Sequence, residues 1–316
     1  MPATVATSLY HEFYDRQKAG ESGEASSHWK AFSKNFEVVF DESGQIVKLK
    51  GYGFGGSDDS RLQARLTASI GNELQLQVLR WPGLRTEMRQ ARELVRRMGL
   101  FFSQDAFRQA CTRSFLREHI AQLRVENILI IGDGHGILAA LLHQEYPQAN
   151  IFLIDLGATL FFQAWYLQRA FPDAVHLMAN EIEDVRETAG FYYCPAEHLQ
   201  DLRHVNFDLA INVASMQEMN MDTVRNYFTL LRRHSTHLFY CCNRLEKQLP
   251  DGTVTRFTEY PWKTDDKILV DEACPWHQFF AGRSAAANLR IFGWIPVPLL
   301  HRYDGIHWHR LVKLAK

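Results

Sequence analysis

The chain has 316 residues, enough for one large domain or two modest ones, and 46% of them are hydrophobic, enough for a substantial core. Charged residues make up 22% and the formal net charge is −1, which gives no global drive toward nucleic acid or an anionic membrane. The first residues, MPATVATSLYHEFYDRQ, lack a basic start followed by an apolar core, and no apolar run approaches the roughly 20 residues that span a bilayer, so a soluble, cytoplasmic protein is expected.

Cysteines stand at 111, 194, 241, 242 and 274 with no C-x-x-C pair. That spacing argues against a zinc ribbon or a disulfide framework and for a reducing compartment. The densest basic cluster, Arg85, Arg89, Arg92, Arg96 and Arg97, follows helical spacing and suits a solvated helix face.

Residues 1–35 are polar and look like a loosely held arm, pinned at its end by Trp29 and Phe32. FEVVF and IVKL flank DESG (Asp41–Gly44) and predict a hairpin. GYGFGG (Gly51–Gly56) follows, where glycines between aromatics can bring backbone close to a ligand or another loop. Helices are predicted over Arg61–Ile70, over Arg85–Met98 with Met88, Ala91, Val95 and Met98 on one face, and over Gln104–Leu123 behind the N-cap Ser103. Residues 1–122 thus form a mostly helical cap with one β-hairpin.

From residue 123 the rhythm becomes strand–helix–strand. Strands are expected at Ile128–Ile131, Ile151–Ile154, Val175–Met178, Phe191–Cys194, Phe207–Val213 and Leu238–Cys242. Helices fall between them at Ile137–Tyr146, Thr159–Phe171, His198–Leu202 and Met221–Arg233. This alternation predicts an α/β fold with a parallel sheet. Asn243–Ala273 is polar and turn-rich, Arg283–Leu289 helical, and Trp294–Leu300 with His307–Leu314 an antiparallel hairpin around Tyr303-Asp304-Gly305 that closes the sheet edge.

The stretch NILIIGDGHG carries the chemistry. Gly132, Gly134 and Gly136 follow a strand directly and precede a helix whose free N–H groups face the turn. Asp155 closes the next strand about 20 residues further on, where a carboxylate can accept both hydroxyls of a ribose. A dinucleotide fingerprint needs G-x-G-x-x-G, and Ile137 stands where its third glycine would be. The G-x-G-x-G form favours S-adenosylmethionine (SAM) over NAD. Ligands of such sheets bind beyond the carboxyl ends of the strands. The candidate cofactor residues are therefore Gly132, Asp133, Gly134, His135, Gly136, Asp155, Leu156, Pro195, Ala196, Asn212 and Ser215.

ILIIGDGHG, FLIDL and FDLAINVASMQEM together resemble the sugar O-methyltransferase family, a branch of the class I SAM-dependent methyltransferases, and SHWKAF and GYGFGG extend the similarity upstream. The resemblance implies a Rossmann-like methyltransferase domain over residues 123–316 and methylation of a hydroxyl on a sugar or glycoconjugate acceptor. Two positions depart from the usual pattern: Ile130, often acidic, and Asp133, often glycine. Asp133 is then expected either to meet the SAM amino group or to point to solvent.

A sugar hydroxyl needs a base for in-line transfer. Glu218 is the first candidate, His277 the second, with Gln217 and Asn212 orienting the acceptor. Trp262 and Trp276 offer a wall for a sugar ring, and Asp265, Asp266, Asp271 and Glu272 have no metal-loop spacing, so no metal is assigned. Two rival readings are an NAD-dependent nucleotide-sugar enzyme and a SAM-binding scaffold without catalysis. The first would want Y-x-x-x-K after the fourth strand, but Leu231 stands four residues after Tyr227.

Overall fold

The computed structural model describes all residues except 1–3, 15–25, 43–45, 52–53, 60, 182–188, 235, 283–289, 292–294, 297–298 and 303–304; the side chains of 32–33 and 280–304 are likewise not described. The helix expected at 283–289 lies outside the described residues, and the DESG, GYGFGG and 303–305 turns lie partly outside them.

The N-terminal elements are α1 (Val5–Leu9), α2 (Ser27–Phe32), the hairpin β1 (Glu37–Phe40) and β2 (Ile46–Lys50), then α3 (Leu62–Leu79), α4 (Leu84–Arg97) and α5 (Gln104–Ile120). The alternating part comprises β3 (Asn127–Ile131), α6 (Ile137–Glu145), β4 (Asn150–Asp155), α7 (Gly157–Ala170), β5 (Val175–Met178), β6 (Gly190–Pro195), β7 (Leu209–Val213), α8 (Met221–Arg233) and β8 (Leu238–Arg244). A small hairpin, β9 (Glu246–Gln248) and β10 (Val254–Arg256), precedes β11 (Lys267–Ala273). The chain ends in β12 (Phe279–Gly282), β13 (Arg290–Ile291), β14 (Ile295–Pro296), β15 (Leu299–Arg302) and β16 (His307–Lys313).

The main sheet has the order β11-β16-β8-β7-β3-β4-β6-β5, and β16 alone runs antiparallel to its neighbours. This is the α/β sheet of class I methyltransferase folds, with one additional edge strand, β5. The expected partner of β16 was wrong. β16 pairs with β11, inside the stretch taken as loop, while β15 pairs with β12 in a separate two-stranded ribbon. Strand β11 was illegible because its residues are mostly exposed or half-exposed edge positions, with no buried alternating face.

The strand runs are apolar throughout because both sheet faces are covered. Ile128, Ile130, Ile151, Leu153, Phe191, Tyr193, Tyr240 and Cys242 pack into one core; Leu129, Ile131, Phe152, Ile154, Tyr192, Cys194, Phe239 and Cys241 pack into the other. The first core runs without interruption into the cap through Leu84, Met88, Ala91, Val95, Phe107 and Leu116. Residues 4–14 are not a loose arm: Ala6, Leu9 and Tyr14 are buried, and Tyr10 and Tyr14 pack on Phe161 of α7. Their aromatic spacing outweighs the polar composition. Among the described residues, no helix is long and apolar enough to cross a membrane.

A charged cluster fastens the cap to the sheet. Glu87 of α4 binds Arg113 and Arg117 of α5, the latter at 2.7 Å, and Arg117 also reaches Glu145 of α6 at 3.3 Å. Arg113 is 1% exposed. Replacing Glu87 by alanine leaves that guanidinium desolvated with only a 4.0 Å approach to Glu145. Glu87→Ala should cost about 3–5 kcal/mol in urea unfolding; a loss below about 1 kcal/mol would show that the cluster behaves like an exposed ion pair.

Candidate active site

The chain turns from β3 to β4 on one side and to β7 on the other, so the sheet's switch point lies beyond the ends of β3 and β7. A cavity of 470 Å³ opens there, within the size range of small-molecule sites. It is walled by Gly132, Asp133, Gly134 and Asp155 on the cofactor side and by Ser215, Gln217, Glu218, Arg244, His277 and His307 on the other.

The glycine turn is required by close approach. Gly132, Gly134 and Gly136 have φ of 75°, 54° and 78°, a left-handed region that other residues enter with strain. A Cβ on Gly132 would lie 2.0 Å from Ser215 Oγ, and one on Gly134 would lie 3.3 Å from Phe54 Cβ. The loop around Phe54 is tied down by Asp58, which accepts from Gly51 N at 2.5 Å, and by the Ser57–Ser103 hydroxyl contact at 2.6 Å.

Asp133 does not point to solvent but borders the cavity, 8% exposed. Its carboxylate accepts from Leu138 N at 3.1 Å and Ala139 N at 2.7 Å, capping α6. Burial drives its pKa up to about 8 against those two amides. Asp155 is likewise pushed by burial to about 7, while its oxygens accept from Leu156 N and Gln163 Nε2, each at 2.8 Å. The Asp133 backbone N–H also donates to this carboxylate, which with about four acceptor sites keeps capacity for a ligand hydroxyl.

Several expected site residues stand behind the wall. His135 faces the cap, with Phe54 and Tyr166 edge-on and Asp58 at 3.7 Å. Gly136 packs toward Leu167. Leu156 is the N-cap of α7, and Pro195 ends β6 as the register partner of Asp155, with Ala196 next to it. Asn212 is fully buried: it donates to Ile131 O at 2.7 Å and accepts from Met216 N and Asn243 Nδ2. Gln217 borders the cavity, yet its Oε1 accepts from Arg244 N at 2.8 Å and its own N–H donates to Asn243. These amides brace the loops that carry the site.

Glu218 lies in the wall between Lys247 Nζ at 2.5 Å and His28 Nε2 at 3.2 Å. Burial opposes its ionisation, but His28 and Lys247 outweigh burial and hold its pKa below the usual value. His277 is buried, and burial, with His307 and Arg108 nearby, depresses its protonation. Its Nδ1 lies 3.2 Å from Cys274 Sγ. Burial keeps the Cys274 thiol protonated; where its S–H is the donor across this contact, the ring proton sits on Nε2. In that tautomer His277 offers a donor rather than a base.

The expected tryptophan wall is corrected. Trp262 packs on Phe228 and Phe239 in the second core, and buried Trp276 donates to Thr112. Trp29 and Phe54 line the cavity instead, with rings 5.4 Å apart. Asp266 is held by Arg232 and Asp271 by Arg310, and among the described residues neither joins a cluster suited to a metal. Sequence reasoning missed Gln104, Asp105, Arg108 and Gln109 on the first turns of α5, and Arg244 and His307. The available signal was a run of polar residues on a helix that is buried nearly all round from Ala106 to Leu116.

No protein-family model matches the chain, and no curated protein matches it. Among solved structures, a SAM-dependent methyltransferase from Clostridium acetobutylicum is 15% identical, covering 65% of this chain and 91% of its own, with a TM-score of 0.37. A candidate O-methyltransferase from Klebsiella pneumoniae is 14% identical over 80% and 99%, with a TM-score of 0.40. The N-terminal domain of EvdMO1, solved with SAH bound, is 10% identical over 66% and 81%, with a TM-score of 0.37. All three scores are below 0.5, so the fold assignment stands on the strand order.

The raised carboxyls give a pH signature. Between the unfolded value near 4 and the folded values of about 7 and about 8, the folded chain holds more protons than the unfolded chain. Their contribution to stability therefore falls as pH rises through that window. Asp133→Asn should flatten the decline in urea midpoint between about pH 5 and about pH 8; identical slopes for variant and wild type would remove burial as the cause.

Proposed function

We propose that the chain is a SAM-dependent O-methyltransferase acting on a hydroxyl of a sugar or glycoconjugate. The observation that carries the cofactor is the pairing of Asp155 with the glycine turn: a Cβ added at Gly132 would stand 4.0 Å from Asp155 Oδ2, at the mouth of the switch-point cavity. The missing side chains leave backbone for a ligand to approach, and Asp155 has acceptor capacity for ribose hydroxyls. Bound there, SAM supplies an electrophilic methyl group. Gly132, Gly134 and Asp155 would hold it, with Ser215 closing the turn; Pro195 and Ala196 flank Asp155 one strand over.

The acceptor belongs at the opposite wall. Trp29 and Phe54 provide an apolar face for a C–H-rich ring, and Gln104, Gln109, Arg244 and His307 supply polar contacts. Glu218 is the group to receive the hydroxyl proton, working with His28 at 3.2 Å as a carboxylate–imidazole pair. Lys247 and His28, which lower its pKa, weaken it as a base, so its role depends on close placement against the hydroxyl. The Nε2–H of His277 orients the acceptor oxygen, and Gln217 fixes the loop beneath it.

Calorimetry separates this reading from a dinucleotide enzyme. SAM and S-adenosylhomocysteine should bind and NAD should not, and Asp155→Asn should weaken SAM about 10- to 100-fold through lost charge-assisted hydrogen bonds. Absence of SAM and S-adenosylhomocysteine binding, or tighter binding of NAD, would remove the cofactor assignment.

A further inference from the structure

At the cavity wall three metal-ligating side chains converge: two cysteines that methyl transfer does not use, and His277, whose Nδ1 has no part in it. Cys242 lies near the carboxyl end of β8. Cys274 and His277 stand at the two ends of Cys274-Pro275-Trp276-His277, whose last three residues form one 3₁₀ turn. In that geometry residues three apart eclipse one another, which puts the sulfur and the imidazole on the same side. His277 Nδ1 is 3.2 Å from Cys274 Sγ and 3.7 Å from Cys242 Sγ, and all three donor atoms lie within 4.8 Å of one another.

We propose that Cys242, Cys274 and His277 form a buried binding site for a thiophilic divalent cation, best matched by zinc. Tetrahedral zinc, with Zn–S near 2.3 Å and Zn–N near 2.0–2.1 Å, separates its sulfur and nitrogen ligands by about 3.6 Å. The two observed separations bracket that value. Charge favours the same ion. The two cysteines and His277 are 0%, 0% and 2% exposed, where an uncompensated charge is expensive. Two thiolates and a neutral imidazole around a dication sum to zero, and ion binding itself releases the thiol protons. Three protein ligands leave the fourth tetrahedral position for a small exogenous ligand.

The location gives the site a consequence. The carbonyl of Cys242 accepts from Ala214 N at 2.7 Å, so the ion would anchor the strand that holds the cavity loop. Ala214 lines the cavity in a left-handed conformation, φ 57°. The ring of His277 stacks on His307 at 4.8 Å, and both border the cavity. A metal on Nδ1 fixes the proton on Nε2 and locks the ring, making permanent the donor role that His277 has at the wall.

The test does not depend on methyl transfer. Full-length chain, purified without chelator and kept reduced, is analysed for metal; stripped chain is then titrated with cobalt(II) and, separately, zinc. The expected results are about one zinc per chain, a thiolate-to-cobalt charge-transfer band in the near ultraviolet, and a rise in melting temperature with zinc. Cys242→Ser and Cys274→Ser should each weaken cobalt binding by at least about tenfold and lose intensity in that band, while Cys194→Ser, in β6, should keep both. Wild-type chain without the band and without a zinc-dependent melting shift would overturn the site, whatever the variants do. A band that persists unchanged in both serine variants would overturn it equally.

Discussion

The cavity depends on two strand ends approaching more closely than side chains allow. The turn after β3 meets the loop after β7 so tightly that a single methyl on Gly132 would overlap Ser215. Asn212 stitches the same two strands from below through Ile131 O, and Asn243 extends the stitch to β8. Removing side chains on one side and spending amides on the other leaves a backbone-lined hollow at the switch point. Burial in that hollow drives the Asp133 and Asp155 pKa values upward, which makes them carboxyls a ligand can reorganise.

The cap completes the hollow. It shares one core with a face of the sheet and is clamped to α6 by the Glu87–Arg113–Arg117–Glu145 cluster. Its polar residues at the start of α5 and the ring of Trp29 therefore become walls of the site, and His28 reaches Glu218. The expected boundary at residue 122 marks a change of rhythm in the chain, while the hydrophobic core runs across it.

Much of this was legible because it is local. Helices α4 and α8 and strands β3 to β8 follow apolar period and turn chemistry, and Gly132 and Asp155 sit where a strand–turn–helix–strand unit needs them. What could not be read depends on contacts distant in sequence. Pairing of β16 with β11 has no local signature on an exposed edge. Asp133 looked like a ligand or a solvated charge until α6 placed its amides on it. Trp262 and Trp276 were chosen by type, yet the sheet sends one to the far core and buries the other against Thr112. Cysteine spacing gave no metal signal because Cys242 and Cys274 meet only through folding.

The central claim is that the cleft between the glycine turn and the cap holds the methyl donor with its ribose on Asp155. A crystal structure of the chain with S-adenosylhomocysteine tests it most directly. The account predicts both ribose hydroxyls on the Asp155 carboxylate and the sulfur facing the Glu218–His277 wall. A nucleoside bound elsewhere, or in this cleft without contact to Asp155, would contradict it.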